Sequence, residues 1–171
     1  ADSLGALLAA EEALRTDPEL GSTLFSYFEP EIGAEVDGVV TLATLVDAEL
    51  RERGTDGVAA ATDDQVKTAG SAVIDELGER SDLTGISARS TRDADGWSVP
   101  AVAITVLSDN TQLGFPAASV NLGGDTVVEE FDREVQEVFR VDGLQANGVA
   151  IDVNLTSQEQ GAVAGPFIGF T

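Results

Sequence analysis

Thirty-one aspartates and glutamates stand against nine lysines and arginines, so the chain carries a formal charge of −22 at pH 7. Whatever it folds into must hold together against its own surface. At ordinary ionic strength such a surface repels itself and opposes compaction, and concentrated salt screens that repulsion to within a few ångströms. Lys67 is the only lysine; the other bases are Arg15, Arg51, Arg53, Arg80, Arg89, Arg92, Arg133 and Arg140. Scarcity of lysine fits the same setting, because its long stem adds apolar surface where salt already strengthens hydrophobic association. With 43% apolar residues over a length of 171, the chain has the means to bury a core without staples, and a disordered acidic tail is excluded.

The same numbers remove several functions. An excess of acid without a basic run disfavours nucleic-acid binding through phosphate neutralisation, and association with anionic membranes for the same reason. There is no Cys, no His and no Met. Disulfides, thiolate chemistry and zinc–thiolate sites are thereby excluded, as are the Ser-His-Asp triad and most transition-metal sites. No cofactor and no metal are expected. Ala1-Asp2-Ser3 is what removal of an initiator methionine leaves, and no leader or 18-residue apolar run is present. A soluble protein is expected.

The pattern along the chain predicts an α+β fold, with a helical N-terminal half (1–83) and a mostly antiparallel, β-rich C-terminal half (84–171) packed on it as one domain. Leu4, Leu7, Leu8 and Leu14 lie on one helical stripe. Asp17-Pro18-Glu19 then reads as a second helix start, with Leu20, Leu24, Phe25 and Phe28 at helical spacing up to Pro30. A third helix spans Thr41 to Arg53 and ends at Gly54; a fourth begins with the capping box Thr62-Asp63-Asp64-Gln65 and runs to Gly78. After Gly85 the period changes. Ile86 to Thr91 suits an edge strand, Asp93-Ala94-Asp95-Gly96 a turn, and Val99 to Leu107 a strand with Val102, Ile104 and Val106 on one face. Phe115 to Leu122 and Val149 to Thr156 read as further strands. Thr126 to Val141 supports two readings: a helix by its spacing of Val127, Val128, Phe131, Val135, Val138 and Phe139, or a long hairpin by its Val and Phe content.

Few constellations suggest chemistry. Asp93 to Gly96 echoes part of a calcium loop, but the twelfth position, counted from Thr91, is Val102 where a bidentate Glu is needed, so a plain turn is expected. Glu11-Glu12, Asp63-Asp64 and Glu129-Glu130 are paired acids of the kind an acidic surface produces anyway. Catalysis by such a pair needs one carboxyl raised in pKa by burial. Gly123-Gly124-Asp125 lacks a phosphate-loop fingerprint, Trp97 suits a core or edge anchor, and the Asn154-Leu155-Thr156 sequon falls in a predicted strand. Arg133 and Arg140 sit among Asp132, Glu134, Glu137 and Asp142, and are expected in ion pairs within the chain or across an interface. The apolar tail with Phe167, Ile168 and Phe170 is expected to dock on a neighbouring chain or to pair as a final strand. On the first alternative, deleting Gly165 to Thr171 leaves a folded monomer that no longer assembles.

Two resemblances bear on function. The composition resembles that of proteins of halophilic archaea that accumulate molar KCl, and of the viruses that infect them. Residues 66 to 156 present a helix ending Ala72-Val73-Ile74-Asp75-Glu76-Leu77, then a strand opening Val99-Pro100-Ala101-Val102-Ala103-Ile104-Thr105-Val106. A charged, extended Phe131-Asp132-Arg133-Glu134-Val135-Gln136 follows, leading to Ala150-Ile151-Asp152-Val153-Asn154-Leu155. In element order and in its Pro-Ala-Val strand start this stretch resembles the head–tail joining and tail-terminator proteins of long-tailed viruses. That resemblance implies a small α/β ring that caps a tail tube without catalysis. Its partners would be further copies of itself, as a ring or lattice, and neighbouring virion proteins, and its location the virion, assembled in a high-salt cytoplasm. The alternatives are a binding protein or carboxylate-dependent enzyme of the haloarchaeal cytoplasm, and a cell-surface or secreted module.

Overall fold

The leucine stripe of the N-terminus forms α1 (Asp2–Thr16) and buries Leu7, Ala10 and Leu14. A computed structural model describes residues 2–29, 34–77, 85–87, 89–116, 126–140, 146–149 and 162–170. The expected boundary near residue 83, residues 117–122 of the strand expected over Phe115 to Leu122, and the stretch 150–156 lie outside them; Phe115 and Pro116 are not in a strand. Thr41 is extended at φ −127°, and its Oγ1 accepts from the Ala43 N–H at 3.1 Å, which opens α2 (Leu42–Glu52). The capping box opens α3 (Asp63–Leu77) reciprocally. Gln65 N–H donates to Thr62 Oγ1 at 3.3 Å and Thr62 N–H donates to Gln65 Oε1 at 2.9 Å, together worth about 1 kcal/mol.

The spacing of Phe131, Val135 and Phe139 prevails over the β-prone composition around it, and residues Thr126–Val138 form α4. All three side chains are buried against Leu7, Leu14 and the strand residues Ile104 and Val106. A helix places positions four apart on one face, so the segment covers the sheet with large side chains; Asp132 is buried as well, while Glu129, Glu130 and Glu137 are exposed.

The strands are β1 (Tyr27–Glu29), β2 (Ala34–Val36), β3 (Val39–Val40), β4 (Thr91–Asp93), β5 (Gly96–Ser98), β6 (Ala103–Asp109), β7 (Ala146–Val149) and β8 (Ala162–Phe170). They make an antiparallel sheet in the order β3-β6-β8-β7 and two hairpins, β1-β2 and β4-β5. The fold is α+β, helical through much of its N-terminal half. β6 alternates as its sequence predicts, with Ile104, Val106 and Ser108 buried. It begins later than expected: Val102 makes only an isolated bridge to Ile86, and Pro100, which has no N–H to give a ladder, precedes it. The expected edge strand at 86–91 is reduced to that bridge and the start of β4.

One expected helix is absent. After Asp17, whose Oδ1 accepts from the N–H groups of Glu19 and Leu20 at 2.8 and 2.9 Å, the chain makes one 3₁₀ turn (Gly21–Thr23) and then extends into β1. Leu24 bridges to Ser108, and the Phe25 N–H donates to the Leu107 carbonyl at 3.0 Å. Pairing with β6 thus overrides the helical spacing of Leu20, Leu24, Phe25 and Phe28, as tertiary context commonly does for short apolar runs.

Two clusters form the core. One joins α1, β3, β6 and α4; the other joins α2 to α3 through Leu42, Val46, Leu50, Val66, Ala69, Val73 and Ile74. α2 stands between them, with Ala43 in the first and Val46 in the second, while Leu4, Leu8 and Val102 pack against both.

Candidate functional site

The charged centre of the molecule lies where α1, the β2–β3 joint and the start of α2 meet. Glu11 falls on the leucine stripe of α1 between Leu7 and Leu14 and is fully buried. Its Oε1 accepts from the hydroxyl of Thr41, and its Oε2 from the hydroxyl of Thr44 and from Arg15 Nη2 at 3.3 Å. Arg15, one turn further along α1, also donates through Nε to Asp37 Oδ2 at 2.5 Å and through Nη2 to the Val39 carbonyl at 3.0 Å. Burial pushes the Glu11 carboxyl above the ordinary glutamate range, against the opposing pull of Thr41, Thr44 and Arg15. Its sequence neighbour Glu12 is exposed, so the pair Glu11-Glu12 is divided between core and solvent. The buried member joins three segments through these contacts.

Beside this junction the β1–β2 hairpin leaves the body. The Phe25 N–H donates to the Leu107 carbonyl, and the Leu107 N–H donates to the Gly38 carbonyl at 2.7 Å. In an antiparallel ladder one residue normally exchanges both bonds with its partner. Here two residues that flank the hairpin share that position. Leu24 opposite Ser108 and Val39 opposite Val106 complete one continuous edge along β6. The described residues between Phe25 and Gly38 are therefore an excursion from a single strand. Tyr27 stacks on Phe25 with ring centroids 6.4 Å apart and 11° between planes, which braces one face of the hairpin. On the other face Phe28 lies opposite Glu35 in the register and is 60% exposed. Phe25, Ser26, Tyr27, Phe28, Glu35, Asp37 and Gly38 belong to neither core cluster.

A second ionic cluster ties the other hairpin to α3. Arg92 grips Asp75 with two parallel bonds of 2.8 and 2.6 Å, and Trp97 Nε1 donates to the same carboxylate at 2.8 Å. The Arg92 guanidinium, and after it the Trp97 N–H, hold the Asp75 carboxyl down at about 2. Trp97 is the edge anchor its position predicts, and Asp93 to Gly96 is the expected turn, with Asp93 Oδ1 accepting from the Asp95 N–H at 2.9 Å.

The remaining sequence candidates separate. Arg133 lies on the exposed side of α4 within 3.3 Å of Glu130 and 3.9 Å of Glu134, and Arg140 just beyond α4 within 2.5 Å of Glu137. Both ion pairs are thus made inside the chain. Asp63-Asp64 and Glu129-Glu130 are exposed at the starts of α3 and α4. Phe167, Ile168 and Phe170 lie on β8, where Phe167 is opposite Thr105 and Val149, Ile168 opposite Ile104 and Gly148, and Phe170 opposite Ala146. β8 is an inner strand, so removing Gly165 to Thr171 takes ladder partners from both β6 and β7 and tests folding before it tests assembly. Gly123-Gly124-Asp125 and the sequon lie outside the described residues.

Asp17, Pro18, Glu19, Leu20, Glu134, Glu137 and Val138 line an open recess of about 450 Å³. Among the described residues there is no grouping of three or more acids placed to hold a metal ion, and no helix long and apolar enough to cross a membrane. Sequence reading missed Glu11 and Phe28. An acid in the middle of a leucine stripe, with an arginine four residues on, was the available signal for the first. The second had none, because its spacing fits a helix. Comparison with protein-family models, curated proteins and solved structures produced no match to the chain.

Proposed function

We propose that this chain is a non-enzymatic assembly protein of a high-salt system, a head–tail joining or tail component of the virion of a haloarchaeal tailed virus. The observation that carries the assembly role is the hairpin arm. It is pinned at both ends to Leu107, keeps Tyr27, Phe28 and Glu35 out of either core cluster, and presents Phe28 to solvent. A two-stranded hairpin alone is marginal in water, so a projecting one with an exposed aromatic residue serves a contact. The acidic, lysine-poor composition supports the setting; the helix over 63–77 and the strand over 103–109 support the virion assignment, whereas residues 131–136, extended in that resemblance, lie in α4 and do not.

A carboxylate-dependent enzyme is the second reading, and Glu11 is the residue that favours it, because burial raises its pKa. Both of its oxygens are already engaged by Thr41, Thr44 and Arg15, which suits a structural junction better than proton transfer to a substrate. The absolute mass by light scattering in multimolar KCl, and again after dilution, tests the assembly role. A discrete homo-oligomer in high salt that dissociates or unfolds on dilution is the expected result. A compact monomer at every salt concentration overturns the self-assembling ring.

A further inference from the structure

We infer that Glu11, Arg15 and Asp37 form a proton-operated latch: Arg15 holds the exit of the β1–β2 hairpin while Glu11 keeps its proton, and that exit loosens when Glu11 ionises. The latch is independent of the assembly reading. Arg15 spends its hydrogens unequally. Its single Nε hydrogen goes to Asp37 Oδ2 at 2.5 Å, and the two on Nη2 go to the Val39 carbonyl at 3.0 Å and to Glu11 Oε2 at 3.3 Å. A guanidinium paired with a carboxylate settles at roughly 2.7–2.9 Å, so the Glu11 contact is the slack one. Arg15 thus grips the residues on either side of Gly38 and touches Glu11 lightly.

Glu11 itself lies fully buried on α1, and the hydroxyls of Thr41 and Thr44, at the start of α2, meet its two oxygens. Those groups carry no charge. Among the described residues Arg15 is the one charged group that acts on the carboxyl, and Asp37 reaches it only through Arg15. Burial favours the protonated form, whose proton one threonine hydroxyl can accept because a hydroxyl both donates and accepts.

Once both acids are charged they compete unequally for Arg15. A buried carboxylate has no water to turn to, whereas the Asp37 side chain is 43% exposed and is solvated. The guanidinium therefore closes on Glu11 and withdraws from Asp37 and Val39. The carbonyl between them, that of Gly38, accepts the Leu107 N–H at 2.7 Å. The bond that seats the hairpin exit on β6 thereby loses its two flanking supports.

Amide exchange of the full chain across a pH series, corrected for base catalysis and run in KCl high enough to keep it folded, tests the latch. The Leu107 N–H reports the hairpin exit, and the Ile74 N–H, inside α3 in the other core cluster, reports overall stability. The carbon-13 signal of the Glu11 carboxyl reports its titration. Relative to Ile74, protection of Leu107 is expected to fall about tenfold as pH rises through that titration. Glu11→Gln should show no such fall, and Asp37→Asn should show the low protection already in acid. Coupling is reciprocal, so Glu11 should also ionise at lower pH in Asp37→Asn. Equal losses at Leu107 and Ile74 would reduce Glu11 to a general destabiliser and overturn the latch. A Leu107 fall that persists in Glu11→Gln overturns it too. So does an unchanged Glu11 titration in Asp37→Asn, a comparison that decides alone if Glu11→Gln does not fold.

Discussion

A carboxylate in a leucine-lined helix face is costly unless it is hydrogen-bonded and paired, and Glu11 has both oxygens engaged, by two threonine hydroxyls and Arg15. Replacing it with alanine leaves those donors facing a gap, and Glu11→Ala is expected to cost about 3 kcal/mol in urea unfolding at fixed KCl. Glu11→Gln keeps acceptors for the hydroxyls and removes the buried charge. Because burial raises the folded pKa, the native carboxyl contributes most below the ordinary value of 4.5 and loses that contribution as pH rises through its folded value. The stability of the native chain relative to Glu11→Gln should therefore fall as pH rises above 4.5; a difference that grows with pH would show that the charged form is the favoured one. Asp75 has the opposite sign. Its contribution is present above the ordinary 3.8 and is lost as pH falls through about 2. Trp97, the sole tryptophan, donates to that carboxylate, so its fluorescence should titrate near the lower value and lose that step in Asp75→Asn.

The arm is the element on which local and long-range forces disagree. Gly38 sits at its exit with φ +77°, and a Cβ there would lie 2.6 Å from the Leu107 carbonyl oxygen and 2.7 Å from that of Phe25. Gly38→Ala is expected to cost about 2 kcal/mol, seen as a lowered unfolding temperature. Gly54→Ala, at φ +83° with nothing within 4 Å, should cost about 1 kcal/mol. Equal losses would show that backbone conformation, not the close approach to Leu107, decides at Gly38. Elements whose signals are local could be read in advance: the leucines of α1, the threonine cap of α2 and the Thr62–Gln65 box of α3 act within a few residues. The alternation of β6 was equally plain. The arm was not, since Leu20, Leu24, Phe25 and Phe28 satisfy a helix until Leu107, far along the chain, claims the Phe25 N–H. Nor did composition settle 126–141, where the core-facing side chains of α1 and β6 select the helix. The ion pairs of Arg133 and Arg140 were legible as pairs because their partners lie one turn away, whereas Glu11 needed Thr41 and Thr44 from another element.

At the scale of the whole molecule six of the nine bases are already used. Arg15, Arg51, Arg53, Arg92, Arg133 and Arg140 each hold a carboxylate of this chain, so most of the −22 charge remains uncompensated at the surface. Two effects of salt then act on folding and have different shapes. Screening rises steeply and is nearly complete once the Debye length falls to about 3 Å near 1 M, while strengthening of apolar burial continues roughly linearly and depends on the anion. If self-repulsion governs stability, the unfolding temperature should climb sharply in dilute KCl and then flatten, and potassium chloride and sulfate should coincide at equal ionic strength over the steep part. Substituting the exposed acids Glu12, Asp64 and Glu129 with lysine should move the steep rise to lower KCl. A rise that is linear from the start, larger in sulfate and indifferent to those substitutions would place the salt requirement in the apolar core. The acidic surface would then serve solubility and partner choice rather than the stability of the fold.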